Sequence, residues 1–356
     1  MGVVARTILC AKTIVSPKSI RTLSNIDTHG SRYILPALAT FQSVECHVET
    51  MKKRILVLVL ILATLLVAAG WTRPDWQTVE VDGLQRRYLV DAPPRRFRGK
   101  RPLIIVFHGG GGNARQATRL GFAKLGRKKG YILVYPEGID GHWYDPRVAF
   151  FADDGSRPDD LKFVSKLLDR LEADYHVDTD RVYATGLSNG GIMSHYVGDA
   201  LSDRFAAIAP VIGGIPAKRA DEFRPTSPVS VLIMQGTKDP LVPYAGGHIT
   251  VFGKKRGKVV STERTVQMWV EHNQCSPDGV REQLPDSAPG DGCTVERTTY
   301  GEGREGSEVI LYKVLGGGHT MPGGAQYLPE RLIGKVCRDV VGVDIIADFF
   351  ARHKKR

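Results

Sequence analysis

Cysteine is scarce in this 356-residue chain: Cys10, Cys46, Cys275, Cys293 and Cys337 are the only five. None stands at Cys-x-x-Cys spacing, so the signature of a structural zinc site is missing and no metal is expected. No apolar run reaches the about 20 residues that a membrane-spanning helix needs. The longest, Ile55 to Ala69, has 15. No internal repeat is present, which excludes solenoids and propellers. Basic residues outnumber acidic ones by 11, yet no basic stripe is interleaved with aromatics. The runs Arg95–Arg101, Lys254–Lys258 and the tail from His353 to Arg356 read as solvated loops, so nucleic acid is not an expected partner. What remains is ordinary for a globular protein: 42% hydrophobic and 24% charged residues, enough for a sizeable core.

Residues 1–50 show no sustained periodicity. Met51-Lys-Lys-Arg54 then precedes the apolar run, which ends in Ala68, Ala69 and Gly70 before Trp71. A basic start, a short apolar stretch and small residues make the pattern of a secretory signal over 51–70. It predicts an exported or periplasmic protein with no stable membrane span after cleavage. A signal placed 50 residues in suggests that translation starts at Met51 and that residues 1–50 are an extension. A transit-type leader is the rival reading. The catalytic domain is then expected over 71–356.

Within that domain, strand-like and helix-like segments alternate. Asp82-Gly83 sits between alternating runs and predicts a hairpin. Pro102–Phe107 is a continuous apolar strand of the kind buried on both faces of a parallel sheet. A helical stretch is expected over 114–129, a strand over 131–135, and a helix over 159–175 capped by Asp159 or Asp160. Further strands are expected over 181–185, 206–212, 229–234 and 308–315. Helices are expected over 192–201, 262–273 and 344–353. The stretch from Cys275 to Cys293 reads as a Gly/Pro/Asp-rich excursion. The alternation predicts an α/β fold with a mostly parallel sheet, helices on both faces and a single core.

Three motifs carry chemistry. Gly186-Leu-Ser188-Asn-Gly190 lies between a strand and a helix, the context in which a serine is raised on a sharp turn as a nucleophile. Glycines two residues either side of Ser188 keep the backbones of strand and helix from colliding. Asp239 follows the strand ending at Met234, and His319 follows the one ending at Leu315. Ser188, Asp239 and His319 therefore come in the chain order of an α/β-hydrolase triad. His108 opens a glycine-rich loop, His108 to Asn113, after a central strand. The N–H groups of Gly110 and Asn189 are the candidate oxyanion donors. His108 and Trp143 are candidate substrate contacts, and Trp143 reads equally well as a core aromatic.

Taken together, the strings HGGGGN, YPEG, TGLSNGG, GTKDPLVPY and GGGHTMPGG resemble the polyhydroxybutyrate depolymerase-like esterases, close to the feruloyl and acetyl-xylan esterases. The resemblance spans about Trp76 to His353. It implies the α/β-hydrolase fold and a secreted serine esterase without metal or organic cofactor, with an ester as partner and Ser188, Asp239 and His319 as triad. It further implies a disulfide between Cys275 and Cys293, with Cys337 left over as a buried thiol. Met321 stands where that family usually has a Trp packed near the substrate, so the resemblance makes it a candidate substrate contact; no substrate-binding domain or Ser/Thr-rich linker follows. Acyltransfer or peptide hydrolysis on the same fold, and a non-catalytic binding role, stay open. Oligomeric state is not readable from the sequence.

Overall fold

The computed structural model describes residues 51–59, 74–93, 97–145 and 158–356. The chain divides into two units, residues 1–66 and 67–356. In the first, residues 51–59 are helical with exposed side chains; the leader expected over 1–50 and the remainder of the signal-like segment lie outside the described residues. No helix among the described residues is long and apolar enough to cross a membrane.

The second unit is built on a ten-stranded sheet in the order β1-β2-β4-β3-β5-β6-β7-β12-β11-β10. Its strands are β1 (Asp75–Val81), β2 (Leu84–Asp91), β3 (Arg101–Phe107), β4 (Ile132–Pro136), β5 (Val177–Leu187), β6 (Ala207–Val211), β7 (Ser230–Gly236), β10 (Val280–Gln283), β11 (Thr294–Tyr300) and β12 (Val309–Leu315). From β4 through β3, β5, β6 and β7 to β12 every neighbour is parallel. Antiparallel pairs finish both edges. A separate hairpin pairs β8 (Gly247–Val251) with β9 (Lys254–Val259). This is the α/β-hydrolase fold.

Period-two alternation along β3 explains its unbroken apolar run. Leu103, Ile105 and Phe107 enter the core on one face, Ile104 and Val106 that on the other. The first face is covered by helices α2 (Asp160–Asp174), α3 (Asn189–Ala200) and α4 (Thr262–Asn273); the second by α1 (Ala123–Lys129) and α5 (Gly342–Arg352). The expected hairpin forms at Asp82 and Gly83, both with positive φ (50° and 79°), as a two-residue turn between twisted strands requires. Asp159 caps α2 through Oδ1 accepting Lys162 N–H at 2.8 Å.

Four expectations need correction. The helix expected over 114–129 is broken: Ala114–Ala117 and a 3-10 turn over Thr118–Leu120 precede Gly121, whose φ of 103° no right-handed helix accepts. The basic run Lys254–Lys258 lies in β9 rather than in a loop. The excursion after Cys275 holds β10, and β11 follows it; the sequence reading missed both. Cys275 and Cys293 do not pair. All three described cysteines are free thiols, and Cys275 packs in the core of one sheet face, Cys293 in that of the other.

Candidate active site

Five parallel strands deliver the candidate residues to one edge of the sheet, because parallel strands present all their carboxyl ends together. Ser188 follows β5, Asp239 follows β7 and His319 follows β12. Ser188 adopts φ 57°, ψ −117°, a conformation that costs a non-glycine residue about 1–3 kcal/mol and is kept where the surroundings over-determine it. The flanking glycines show why. A Cβ on Gly186 would sit 2.6 Å from the backbone of Gly190 and 2.7 Å from the Phe107 carbonyl oxygen; one on Gly190 would sit 2.7 Å from the His108 carbonyl oxygen. β3, β5 and α3 are therefore packed backbone to backbone around the serine, which is tied down by its N–H on the Val211 carbonyl at 3.0 Å.

Asp239 and His319 meet. His319 Nδ1 lies 2.7 Å from Asp239 Oδ2, with both side chains almost wholly buried. A carboxylate only accepts, so Nδ1 carries the proton and Nε2 is left as the basic nitrogen. The buried carboxylate is otherwise saturated: Oδ1 accepts the N–H groups of Leu241 (2.8 Å) and Val242 (2.9 Å), and Oδ2 accepts Gln235 Nε2 (3.2 Å). His319 is held at its backbone by its N–H on the Ile333 carbonyl and by Tyr327 Oη donating to its carbonyl at 2.9 Å. Ser188 is on the same edge, but no hydrogen bond joins its hydroxyl to His319 among the described residues.

The N–H groups of Gly110 and Asn189 take no part in the turn and loop hydrogen bonds that occupy their neighbours, and a Cβ on Gly110 would lie 3.6 Å from Asn189 Cβ. The two candidate donors thus stand side by side. The Asn189 side chain has a second task that the sequence did not reveal. Its Oδ1 accepts the Trp143 N–H (2.8 Å), and its Nδ2 donates to the Trp143 carbonyl (3.3 Å) and to Asp145 Oδ2 (2.9 Å). The segment 143–145 is thereby stitched to the start of α3.

The structure places the three candidate substrate contacts inside the protein. His108 accepts the Gly138 N–H at Nε2 (3.0 Å) and lies 2.8 Å from the Gly109 carbonyl through Nδ1. Burial opposes its charged form and lowers its pKa, against the Gly109 carbonyl, which favours the protonated ring. Trp143 Nε1 donates to the His108 carbonyl at 2.8 Å, its ring packs edge-on against Phe107, and only 1% of it is exposed. Met321 is 5% exposed and packs against Met234 and Gly342. His142, which belongs to none of the sequence motifs, lies instead against Gly110: a Cβ there would stand 3.4 Å from its Cδ2. Its position in an unpatterned loop carried no signal.

A parallel sheet in this strand order, a serine on a strained strand-to-helix turn and a buried Asp–His pair at the same end of the sheet define an α/β-hydrolase. No family model matches the chain. Curated relatives do. A Nocardia uniformis subsp. tsuyamanensis protein named as an esterase, NocK, is 34% identical over 282 residues, 76% of this chain and 80% of its own length. Feruloyl esterase B of Piromyces equi is 30% identical over 240 residues, 66% of this chain and 42% of that protein. Poly(3-hydroxyalkanoate) depolymerase C of Paucimonas lemoignei is 27% identical over 128 residues, 34% of this chain and 30% of that protein. The chain spans less than half the length of the latter two. It belongs to the polyhydroxybutyrate depolymerase-like and feruloyl esterase-like family, and is a carboxylic-ester hydrolase.

Proposed function

We propose that the protein cleaves carboxylic esters through an acyl-Ser188 intermediate. The observation that carries this is the His319–Asp239 pair, 2.7 Å apart, on the same sheet edge as a serine held at positive φ. Ser188 Oγ attacks the ester carbon while His319 Nε2 takes its proton. Asp239 holds the imidazole in the tautomer that can accept it. The developing oxyanion is received by the N–H groups of Gly110 and Asn189, at the amino end of α3 where the helix dipole adds positive potential. His319 returns the proton to the departing alcohol, and water then releases the acid by the same steps reversed. The serine–histidine hydrogen bond closes when substrate is bound, as such contacts often tighten only in the complex. No cofactor or metal takes part in this scheme.

The names of the relatives favour esters of hydroxyalkanoate oligomers, or of feruloyl and acetyl groups on polysaccharide. His108 and Trp143 act in this reading as struts of the oxyanion loop, while His142 stands closer to the substrate oxygen. The protein works outside the cytoplasm, directed there by the segment 51–70; amino-terminal sequencing of the native product is expected to begin near Trp71, and a product beginning near Met1 would refute export by that segment.

Fluorophosphonate labelling tests the mechanism. A covalent adduct on Ser188, lost in Ser188→Ala and strongly slowed in His319→Ala, is the expected result, with turnover of p-nitrophenyl esters and none of the matching anilides. Folded protein that takes up no label would sink the proposal.

A further inference from the structure

The loop bearing His319 is not self-supporting. It leans on the segment from Ile333 to Asp339. Gly318 N–H donates to the Lys335 carbonyl (2.9 Å), His319 N–H to Ile333 (2.5 Å) and Gly323 N–H to Cys337 (2.7 Å). Thr320 Oγ1 donates to the Lys335 carbonyl at 3.0 Å. This segment acts as a strap, and Cys337 is on it. Facing it, just before β11, is Cys293. The two Sγ atoms and a carboxylate oxygen of Asp291 lie within 4.8 Å of one another, and both cysteines are buried.

The neighbouring carboxylates are already engaged as backbone pins. Asp291 Oδ1 accepts the Cys293 N–H (2.7 Å) and Oδ2 the Arg338 N–H (2.6 Å); Asp339 Oδ1 accepts the Ala288 N–H (2.9 Å). The two thiols make only long sulfur hydrogen bonds, Cys337 to Asp339 Oδ2 (3.8 Å) and Cys293 to the Asp291 carbonyl (3.9 Å). An S–S bond of about 2.05 Å requires the two sulfurs, now within 4.8 Å, to close the remaining gap by side-chain rotation and backbone adjustment. Cys275, in the core on the other face of the sheet, cannot compete. An open groove of about 610 Å³ is lined by Asp291, Lys335, Val336 and Arg338, chain neighbours of the two cysteines, but by neither cysteine itself.

We propose that Cys293 and Cys337 form a disulfide that clamps the His319 strap to the start of β11. The oxidant is a low-molecular-weight disulfide such as glutathione disulfide. One cysteine thiolate attacks it, forming a mixed disulfide and releasing one glutathione thiol. The second thiolate displaces the other, so the reagent gains two electrons and the two cysteine protons end on the released thiols. Burial, with Asp291 beside Cys293, pushes the thiols up to about 11 for Cys293 and about 12 for Cys337. Exchange in the folded protein is therefore slow at neutral pH and faster in alkali.

The test equilibrates the whole protein in glutathione redox buffers at about pH 9, from fully reduced and fully oxidised starting material, and maps alkylated peptides without reduction. The expected result is a cross-linked pair of peptides containing Cys293 and Cys337, with Cys275 recovered alkylated. Dithiothreitol should lower Tm by on the order of 5 °C or more, since the bond closes a long loop. That shift should vanish in Cys293→Ser and Cys337→Ser and persist in Cys275→Ser. Recovery of both thiols alkylated at every redox ratio and from both directions would overturn the proposal. So would a cross-link to Cys275, or zinc retained in stoichiometric amount with both thiols protected. The peptide map of the unsubstituted protein decides the matter even where a serine variant fails to fold.

Discussion

At the scale of single residues, the geometry around Ser188 is governed by what its neighbours lack. Gly190 has no room for a methyl group, because Phe107 and His108 present their carbonyl oxygens directly to it, and backbone cannot step aside as a flexible side chain can. Gly190→Ala is expected to destabilise the fold by about 2 kcal/mol or more and to cut ester turnover by displacing the serine, as measured by urea unfolding and p-nitrophenyl ester assays on the same preparation. Gly110→Pro removes one N–H without adding a polar group. Turnover should fall by about 10²–10³ with little change in KM; unchanged turnover in a variant with a native circular-dichroism spectrum would remove Gly110 from the oxyanion site. The serine, the aspartate, the histidine and the glycines that frame them were legible because each is announced by its immediate neighbours. The task of the Asn189 side chain was not: its partners are 44 and 46 positions away, and nothing local marks them.

At the scale of elements, α2 is anchored to β2 by charge. Arg86 on β2 and Asp160 in the first turn of α2 form an ion pair at 2.5 Å, with side chains 3% and 0% exposed. The Asp160 Oδ2 also accepts the Tyr144 N–H at 2.6 Å, and the guanidinium lies 4.1 Å from the Phe163 ring centre. Burial raises the Asp160 pKa, opposed by Arg86. Breaking one side of such a pair strands the other charge without water, so Asp160→Ala should cost about 3–5 kcal/mol. Replacing both partners by apolar residues should cost much less, and chemical denaturation of the single and double variants measures the difference. The apolar stripe of α2 and its cap were readable from spacing. The strands β8, β9, β10 and β11 were not, because they are half-exposed and largely polar; β8 and β9 pair with each other, and β10 and β11 are fixed by antiparallel neighbours at the sheet edge.

At the scale of the whole unit, residues far apart in sequence bring the chain end back to the sheet. Glu308, just before β12, accepts from His353 Nε2 (2.9 Å) and Arg352 (2.8 Å), at the end of α5. Burial alone would raise its pKa; the hydrogen bonds and charges of His353 and Arg352 outweigh it and hold it at about 2. The sign follows directly. A carboxylate with a depressed folded pKa stabilises the fold fully above its unfolded value near 4.5, and that contribution disappears as pH falls toward 2. Glu308→Gln should therefore lower stability at pH 7 by no more than about 3 kcal/mol and flatten the loss of stability between about pH 4.5 and 2. Thermal unfolding across that range, with and without the substitution, provides the measurement.

Read along the chain, local order determined much: apolar strands of the parallel core, helices with one greasy face, and a serine, an acid and a histidine each set just past a strand end. These follow from periodicities of two and 3.6 residues and from glycine placement, which act over a few positions. The folded arrangement alone decided which thiols face each other, that His108 and Trp143 are committed inward, and that His142 stands beside the oxyanion loop. Such pairings depend on which surfaces meet after the sheet is assembled. No short-range pattern records them, because contacts between residues dozens of positions apart are set by the register and order of the strands that carry them.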